Sequence, residues 1–357
     1  MAPRLCYLPS SMAARPRLHL LLGCAVLLLP LSEDALAARR RPRRTARHAA
    51  TRRAAAPPSL VVPAGADSHD LAVGEAARIG LGRVQGSVVA MDPYTGRVLA
   101  VVNPGLAVAN AYQPCSVFKI VVAIAGLSEG VITPQTTYDC EGGCWLWPGH
   151  GPLDLRRALA VSCNPYFESI GERLGYEKVQ RYAGLLGLGA PSGINFGREA
   201  AGRVPSFVSP RLVGHVSSHA AGVTTSAVQV AVLLSATING GTVYQPQIAP
   251  PQNFVRRERW KLPEAAVLGQ LAEGFLGAVN EGSAVSAFDP DVLVAGKTGT
   301  CAGVGWFASY APADRPEIVL VVFVRPGSGH LASAVAGRIY QNLYKQPLAL
   351  GASAGGR

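Results

Sequence analysis

Two lysines stand near hydroxyl residues in short patterns that could perform nucleophilic chemistry. Ser116 and Lys119 are three residues apart in PCSVFKIVVAIAGL, and Lys297 begins Lys-Thr-Gly-Thr near the end of the chain. If the first stretch is helical, the lysine amine lies on the same face as the serine hydroxyl. A desolvated amine can lose its proton whereas a guanidinium cannot, so the first pair could be a nucleophile and its base.

The scarcity of lysine supports this interpretation. Only five of the 33 basic residues are lysines, and two of the five lie in these patterns. A Ser-x-x-Lys match alone arises by chance roughly once per few hundred residues. The interpretation therefore depends on finding this pattern together with the others. A third pattern, Ser162-Cys163-Asn164, lies between them at a break in a helical region. The three patterns together form a candidate catalytic constellation.

Residue spacing predicts the elements that position the first two patterns. Residues 86–103 read as a hairpin around the turn cluster Asp-Pro-Tyr-Thr-Gly. The apolar run 117–127 predicts a buried helix, which places Ser116 at its first turn. Free backbone N–H groups at that end of a helix favour a developing negative charge. Residues 153–189 are helical in pattern, with breaks at 162–165 and at Gly175.

The later residues predict a helix and then a run of strands. Ser226 and Gln229 form a capping box for a helix over 227–238. Residues 292–300, 305–312 and 317–327 read as successive strands that pair antiparallel, because their connections are too short for crossovers. A closing amphipathic helix is predicted over 332–344. These elements predict an α/β fold with an antiparallel sheet flanked by helices.

Composition and charge exclude a nucleic-acid-binding domain. With 357 residues and 49% hydrophobic content, the chain can bury a core. Eight arginines in residues 39–53 and a net +1 before them account for most of the formal charge of +11, so residues 54–357 carry about +2. A nearly neutral folded part is unlike the basic face of a nucleic-acid-binding protein.

The ends of the chain predict export. Residues 1–37 have the basic flank, apolar centre and small-x-small site of a secretory signal, which could also be retained as an anchor. Residues 38–66, rich in Arg, Pro and Ala, predict a disordered tether that could contact anionic lipid or wall polymer. We place the folded domain at 67–345 and a flexible tail at 346–357. The expected location is the periplasm or the outer face of the inner membrane.

Five cysteines follow the predicted signal. Cys140 and Cys144 are close enough in DCEGGCW for a small disulfide loop, and we set zinc aside because no second Cys/His pair with matching spacing follows. Cys115, Cys163 and Cys301 each adjoin one of the three patterns. We interpret them as small buried residues, with redox control of the site as the alternative.

The three motifs, in this order, resemble the D,D-transpeptidase domain of the penicillin-binding protein family, and serine β-lactamases carry the same set. MDPYTGRVLAVVN is similar to the hairpin before the nucleophile, and LDLRRALAVSCNPYFESIGERLG to the helices around the middle motif. The resemblance covers roughly residues 85–345. It implies an antiparallel sheet flanked by helices, with an all-helical subdomain.

The resemblance also implies a covalent mechanism. Ser116 would attack the carbonyl between the two D-alanines of a peptidoglycan stem peptide and form an acyl-enzyme. Lys119 would take the serine proton, with its pKa lowered by burial and by the charge of Lys297. Ser162 would relay a proton to the departing amine, and Asn164 would orient Lys119 and the substrate amide.

The Lys-Thr-Gly-Thr motif would bind substrate. The hydroxyl groups of Thr298 and Thr300, on either side of Gly299, would hold the terminal carboxylate beside Lys297. Backbone N–H groups of Ser116 and Thr300 would form the oxyanion hole. β-Lactams would mimic the substrate and acylate Ser116, and the resemblance implies no cofactor and no metal.

Other activities remain open at this point. A class D-like serine β-lactamase would hydrolyse the acyl-enzyme rapidly, but its lysine lies in an apolar pocket, whereas Asn164 is expected beside Lys119. A non-catalytic penicillin-binding sensor or scaffold is a third possibility. We reject a Ser-His-Asp site around His215 and His219, because no acidic residue is placed in the sequence to orient either histidine.

Overall fold

The computed structural model describes residues 57–262 and 265–345 as helices and strands that pack around one large sheet. The strands are β1 (Leu60–Val61), β2 (Gly86–Met91), β3 (Val98–Val102), β4 (Tyr138–Cys140), β5 (Gly151–Leu153), β6 (Thr242–Tyr244), β7 (Glu258–Lys261), β8 (Ala295–Cys301), β9 (Val304–Ala311) and β10 (Ile318–Val324). The helices are α1 (Ser68–Leu81), α2 (Pro104–Ala107), α3 (Lys119–Ser128), α4 (Leu155–Val161), α5 (Asn164–Leu174), α6 (Tyr176–Leu185), α7 (Val213–His219), α8 (Ala227–Ile238), α9 (Ala272–Asn280) and α10 (Gly329–Tyr344).

The large sheet is antiparallel throughout, as predicted for the later strands. Within the described ranges its order is β1-β3-β2-β10-β9-β8. The hairpin β2–β3 pairs Val89 with Val101, and β10 pairs with both β2 and β9. The short connections between β8, β9 and β10 explain why these strands are neighbours.

The sheet is covered by helices on both faces. Side chains of β2 alternate between the two faces, since Val88 and Ala90 belong to one apolar cluster and Val89 and Met91 to the other. One cluster includes residues of α1 and α10, and the other includes residues of α3, α5, α6 and α8. The second group of helices corresponds to the predicted all-helical subdomain. The predicted fold class is therefore confirmed.

Local signals located several helices correctly. The capping box of Ser226 and Gln229 is present, and α8 covers the predicted range 227–238. The predicted breaks near Ser162 and Gly175 separate α4, α5 and α6. Ser162 has φ 57°, in the left-handed region that non-glycine residues seldom occupy.

The boundaries need two corrections. Leu60–Val61 pairs with Val101 and Val102, so the sheet includes residues that we placed in the tether 38–66, and the folded domain begins before Asp67. Ser116 lies in a 3₁₀ turn, Cys115–Phe118, directly before α3 and not inside its first turn. The predicted export signal, most of the tether and the tail 346–357 lie outside the described residues. Every helix in the described ranges is too short or too polar to cross a bilayer.

Candidate functional site

The nucleophile candidate lies where a tight turn enters a buried helix. Cys115 has φ 54°, and the 3₁₀ turn that it begins continues into α3. Ser116 is half-buried and lines a cavity of about 460 Å³. Nearly all of α3 is buried, and its residues after Lys119 are small or apolar. The turn is therefore anchored by the core while its serine faces the cavity.

Two fully buried lysines share one serine hydroxyl. The ammonium nitrogen of Lys119 lies 3.2 Å from Ser162 Oγ and 2.8 Å from Ser162 O. The nitrogen of Lys297 lies 2.8 Å from the same Oγ. Because this hydroxyl touches both amines, it can accept a proton from one and donate a proton to the other or to a ligand in the cavity.

Asn164 connects Lys119 to a histidine. Its Oδ1 accepts a hydrogen bond from the Lys119 amine at 2.6 Å. Its Nδ2 lies 3.2 Å from Nε2 of His219, and the amide is the donor if that nitrogen is unprotonated. The amide therefore holds one end of the lysine side chain.

Both amines are shifted toward the neutral form. Burial lowers the pKa of Lys119 to about 7. Burial, followed by the positive charge of Lys119, lowers the pKa of Lys297 well below its usual range. We expected burial and the charge of Lys297 to lower the pKa of Lys119 together. Burial is the leading cause, and the charges named beside it, those of Cys163, Cys144 and Glu168, raise the pKa. A neutral amine at physiological pH can act as a base.

The side chains of Ser116 and Lys119 are not hydrogen-bonded to each other in this structure. Among the described residues, the hydrogen bonds of the Lys119 amine go to Ser162 and Asn164, and none reaches the Ser116 hydroxyl. Hydrogen bonds between catalytic groups are often long in unliganded enzymes and shorten with substrate. The two side chains belong to adjacent turns, since the Lys119 N–H donates to Ser116 O.

The Lys-Thr-Gly-Thr strand forms the opposite wall of the cavity. Thr298 and Thr300 line it together with Ser116. Thr298 Oγ1 lies 2.6 Å from Ser283 Oγ, and Thr300 Oγ1 accepts the N–H of Gly329 at 2.7 Å. The two hydroxyl groups are thus fixed in orientation beside the nucleophile.

Gly299 allows this strand to approach the nucleophile turn. A Cβ atom at this position would lie 2.6 Å from Pro114 O and 3.3 Å from Val117 N, so backbone would have to move. We expect Gly299→Ala to displace the strand and to slow acylation by a penicillin about 100-fold, since a misplacement of about 1 Å costs that much. Acylation kinetics measure this, with circular dichroism to verify the fold.

Gly184→Ala is a matched control. Gly184 lies in α6, and a Cβ atom there would have nothing within 4 Å. This variant should acylate like the wild type and gain slightly in helix stability. If both variants acylated alike, the close approach at Gly299 would not matter for the reaction.

A disulfide joins the two walls of the cavity. Cys115 and Cys301 are bonded, with 5.7 Å between their Cα atoms and a sequence separation of 186. Cys115 precedes Ser116, and Cys301 follows Thr300. We interpreted both cysteines as small buried residues and did not predict this bond; Cys115 is buried and Cys301 is half-buried. The disulfide predicted between Cys140 and Cys144 is wrong, since both are free.

Reduction of the Cys115–Cys301 bond should destabilise the domain. Bridges over long loops restrict the unfolded chain, so we expect a dithiol reductant to lower the free energy of unfolding by about 2–4 kcal/mol. Urea unfolding with and without reductant measures this. The double variant Cys115→Ser, Cys301→Ser should start at the lower value and show no response. An equal response from variant and wild type would place the effect of the reductant elsewhere.

His219 is a pocket residue that sequence reasoning missed. It lines the cavity, and its Nδ1 lies 2.6 Å from Ser218 Oγ and 3.8 Å from a Glu168 oxygen. We stated that no acidic residue could orient His219, and the packing of α5 against α7 supplies one. The sequence gives no local signal for this contact, because Glu168 and His219 lie on separate helices. In this geometry the histidine orients Asn164.

Comparisons with known proteins agree with this fold. A family model described as the penicillin binding protein transpeptidase domain matches residues 86–345. The stage V sporulation protein D of Bacillus subtilis is 29% identical over a match that covers 73% of this chain and 48% of that protein. The peptidoglycan D,D-transpeptidase MrdA of Haemophilus influenzae is 26% identical, with 76% of this chain and 55% of that protein covered. The chain thus spans about half the length of these relatives.

Solved structures show the same architecture. The transpeptidase domain of Burkholderia pseudomallei penicillin-binding protein 3 matches with a TM-score of 0.69 and 20% identity, over 78% of this chain and 95% of that one. An imipenem acyl-enzyme complex of penicillin-binding protein A from M. tuberculosis matches with a TM-score of 0.65 and 23% identity, over 78% of each chain. At these identities the likeness shows the fold.

Proposed function

Because this chain belongs to the penicillin-binding protein transpeptidase family, we propose that it is a serine acyltransferase acting on D-alanyl-D-alanine stem peptides of peptidoglycan. Its acyl-enzyme forms on Ser116. The observation that carries the proposal is the Ser162 hydroxyl between two buried lysines, at the edge of a cavity that also contains Ser116.

Acylation begins with transfer of the Ser116 proton to Lys119. The neutral amine accepts it as the serine oxygen bonds to the carbonyl carbon of the penultimate D-alanine. The carbonyl electron pair moves onto oxygen, where backbone N–H groups of Ser116 and Thr300 stabilise it. Loss of one such donor typically costs about 3 kcal/mol of transition-state stabilisation.

Collapse of this intermediate expels the terminal D-alanine. Its amine needs a proton, and Ser162 can deliver one because its hydroxyl contacts the protonated Lys119 amine. An acceptor amine then attacks the ester in a transpeptidase, or water attacks it in a carboxypeptidase. In this second step Lys119 and Ser162 take up the proton of the attacking amine or water and return a proton to the Ser116 oxygen.

The substrate carboxylate binds at the Thr298 and Thr300 hydroxyl groups. Lys297 is fully buried and bonded to Ser162 and to Thr298 O, so its influence on the carboxylate reaches the cavity through Ser162. The family resemblance implied a carboxylate held by these hydroxyl groups beside Lys297, and the proposal keeps this arrangement. Gly299 contributes by its lack of a side chain.

β-Lactams are expected inhibitors, since a structural neighbour is described as an imipenem acyl-enzyme complex. The alternative is a class D-like β-lactamase with rapid deacylation. The amide of Asn164, 2.6 Å from the Lys119 amine, makes the lysine environment polar and favours slow deacylation.

An exported location follows from the substrate, which is a wall polymer. Contact of the Arg-rich tether with a membrane or the wall stays a prediction, because the arginines of this tether lie outside the described residues.

The lifetime of the penicillin adduct tests the proposal. Full-length protein is labelled with a fluorescent penicillin, freed from excess reagent and sampled over time. Survival for hours supports a penicillin-binding transferase, and loss within seconds identifies a β-lactamase. Release of D-alanine from a stem peptide, with and without an acceptor amine, then distinguishes transpeptidase, carboxypeptidase and a silent sensor. A long-lived adduct without any peptide turnover would leave only the sensor.

A further inference from the structure

Three cysteines and a histidine converge beside the catalytic cleft. Cys140 ends β4, Cys144 and His150 lie in the loop before β5, and Cys163 lies between α4 and α5. Their ligand atoms, three sulfurs and one ring nitrogen, all lie within 4.8 Å of one another. Cys140 and Cys163 are buried, and the other two are half-buried.

The thiols of this cluster are not disulfide-bonded, and one imidazole nitrogen in it has no hydrogen-bond partner among the described residues. All three cysteines are free thiols. Cys140 Sγ lies 3.6 Å from Nδ1 of His150, and Nε2 of His150 is buried without a hydrogen-bond partner among the described residues. A buried polar nitrogen without a partner costs free energy. A metal ion bonded through Nε2 would remove that cost, and one bonded through Nδ1 would replace the contact with Cys140.

We propose that Cys140, Cys144, His150 and Cys163 bind one structural Zn²⁺ ion. Thiolate and imidazole are ligands that zinc favours, whereas Mg²⁺ and Ca²⁺ require oxygen. In a tetrahedral site with Zn–S bonds of about 2.3 Å, sulfurs lie roughly 3.8 Å apart. The observed spacing needs only a small contraction to reach that geometry. Each thiol that binds releases a proton to solvent, and no electron is transferred.

The ion would hold the middle catalytic motif in place. Cys163 separates Ser162 and Asn164, the residues whose side chains contact the Lys119 amine. Ser162 has φ 57°, which most residues avoid, and a metal bond at the next residue stabilises that backbone. Four protein ligands leave no open position for water, so the ion positions residues and does not react.

The same ion would also fix a wall of the cavity. Trp145 follows Cys144, lines the cavity and donates its indole N–H to Val161 O at 3.1 Å. Val161 ends α4, two residues before Cys163. A zinc ion bonded to both Cys144 and Cys163 would therefore link the loop that carries Trp145 to the junction between α4 and α5. This proposal does not depend on the substrate of the enzyme.

Metal analysis of the full-length protein tests the proposal. We expect one zinc per chain by plasma mass spectrometry after gel filtration without chelator. Protein stripped by a chelator and loaded with Co²⁺ should show thiolate-to-cobalt absorption in the near ultraviolet and the intense visible bands of tetrahedral cobalt. This readout uses the wild-type chain, so it does not depend on the folding of any variant.

Two ligand variants and one control locate the site. Cys144→Ser and His150→Ala should each lower zinc affinity more than about 100-fold in competition with a chromophoric chelator, exceeding the effect of a lost outer-shell hydrogen bond. The double variant Cys115→Ser, Cys301→Ser loses two sulfurs of the disulfide and should retain one zinc with unchanged affinity.

Two results would overturn the proposal. One is a Co²⁺ spectrum without thiolate bands in the stripped wild type, together with zinc affinity that does not change in either ligand variant. The other is an intact mass that shows a disulfide within the cluster in protein purified with zinc present. Failure of stem-peptide turnover would leave the metal result unaffected, so the two proposals can fail separately.

Discussion

Ser116→Ala should abolish covalent labelling by a fluorescent penicillin. The substitution removes the only atom that we propose as nucleophile, so acylation should fall by at least about 10⁴-fold. The Ser116 hydroxyl makes no hydrogen bond among the described residues, so its loss should change the free energy of unfolding by less than about 1 kcal/mol. Gel fluorescence and thermal unfolding of the same preparation measure both effects.

Ser206→Ala provides the matched control for this experiment. Ser206 is exposed, lies in a loop and is not among the cavity-lining residues. It should label at the wild-type rate. Persistent labelling of Ser116→Ala, with the adduct mapped by peptide mass spectrometry to another serine, would refute the assignment of the nucleophile.

The fold was predictable where local signals were strong. The capping box at Ser226 fixed α8, and the buried apolar strands near the end of the chain fixed their antiparallel order. The edge strand Leu60–Val61 was not predictable, because two residues carry no periodicity. The 3₁₀ turn at Ser116 also escaped prediction, since the same apolar run fits either helix type.

The candidate site was predictable as a set of motifs but not as a set of contacts. The three motifs identified Ser162 and both lysines, and the sequence could not reveal that one hydroxyl lies between both amines. The Cys115–Cys301 bond and the contact of Glu168 with His219 depend on which elements pack together. Such contacts join residues far apart in sequence, where spacing carries no signal.

The cysteine cluster illustrates this limit. We excluded zinc because Cys140 and Cys144 have no second pair of matching spacing downstream. The structure brings His150 and Cys163 to them from two separate elements. A spacing rule finds ligands that share one loop or hairpin, and it misses ligands that tertiary packing collects.

Acylation should rise with pH through the pKa of Lys119, about 7. Only the neutral amine can accept the serine proton, so the rate should increase about tenfold per pH unit below that pKa and level off above it. Lys119→Met, which keeps an unbranched chain of similar length, should reduce the rate by about 10²- to 10⁴-fold and remove the inflection. Stopped-flow acylation by a chromogenic penicillin between pH 5.5 and about 9 gives both quantities.

Other titrating groups near the cavity require a control. Burial also lowers the pKa of His219, which contacts Asn164 and could produce an inflection of its own. In His219→Ala the inflection should remain near the same pH if Lys119 is the base, whatever the change in maximal rate. Lys119→Arg adds a second check, because a guanidinium stays protonated and should not restore the rate that Lys119→Met loses. An inflection that disappears in His219→Ala and persists in Lys119→Met would instead make the histidine the group that controls acylation.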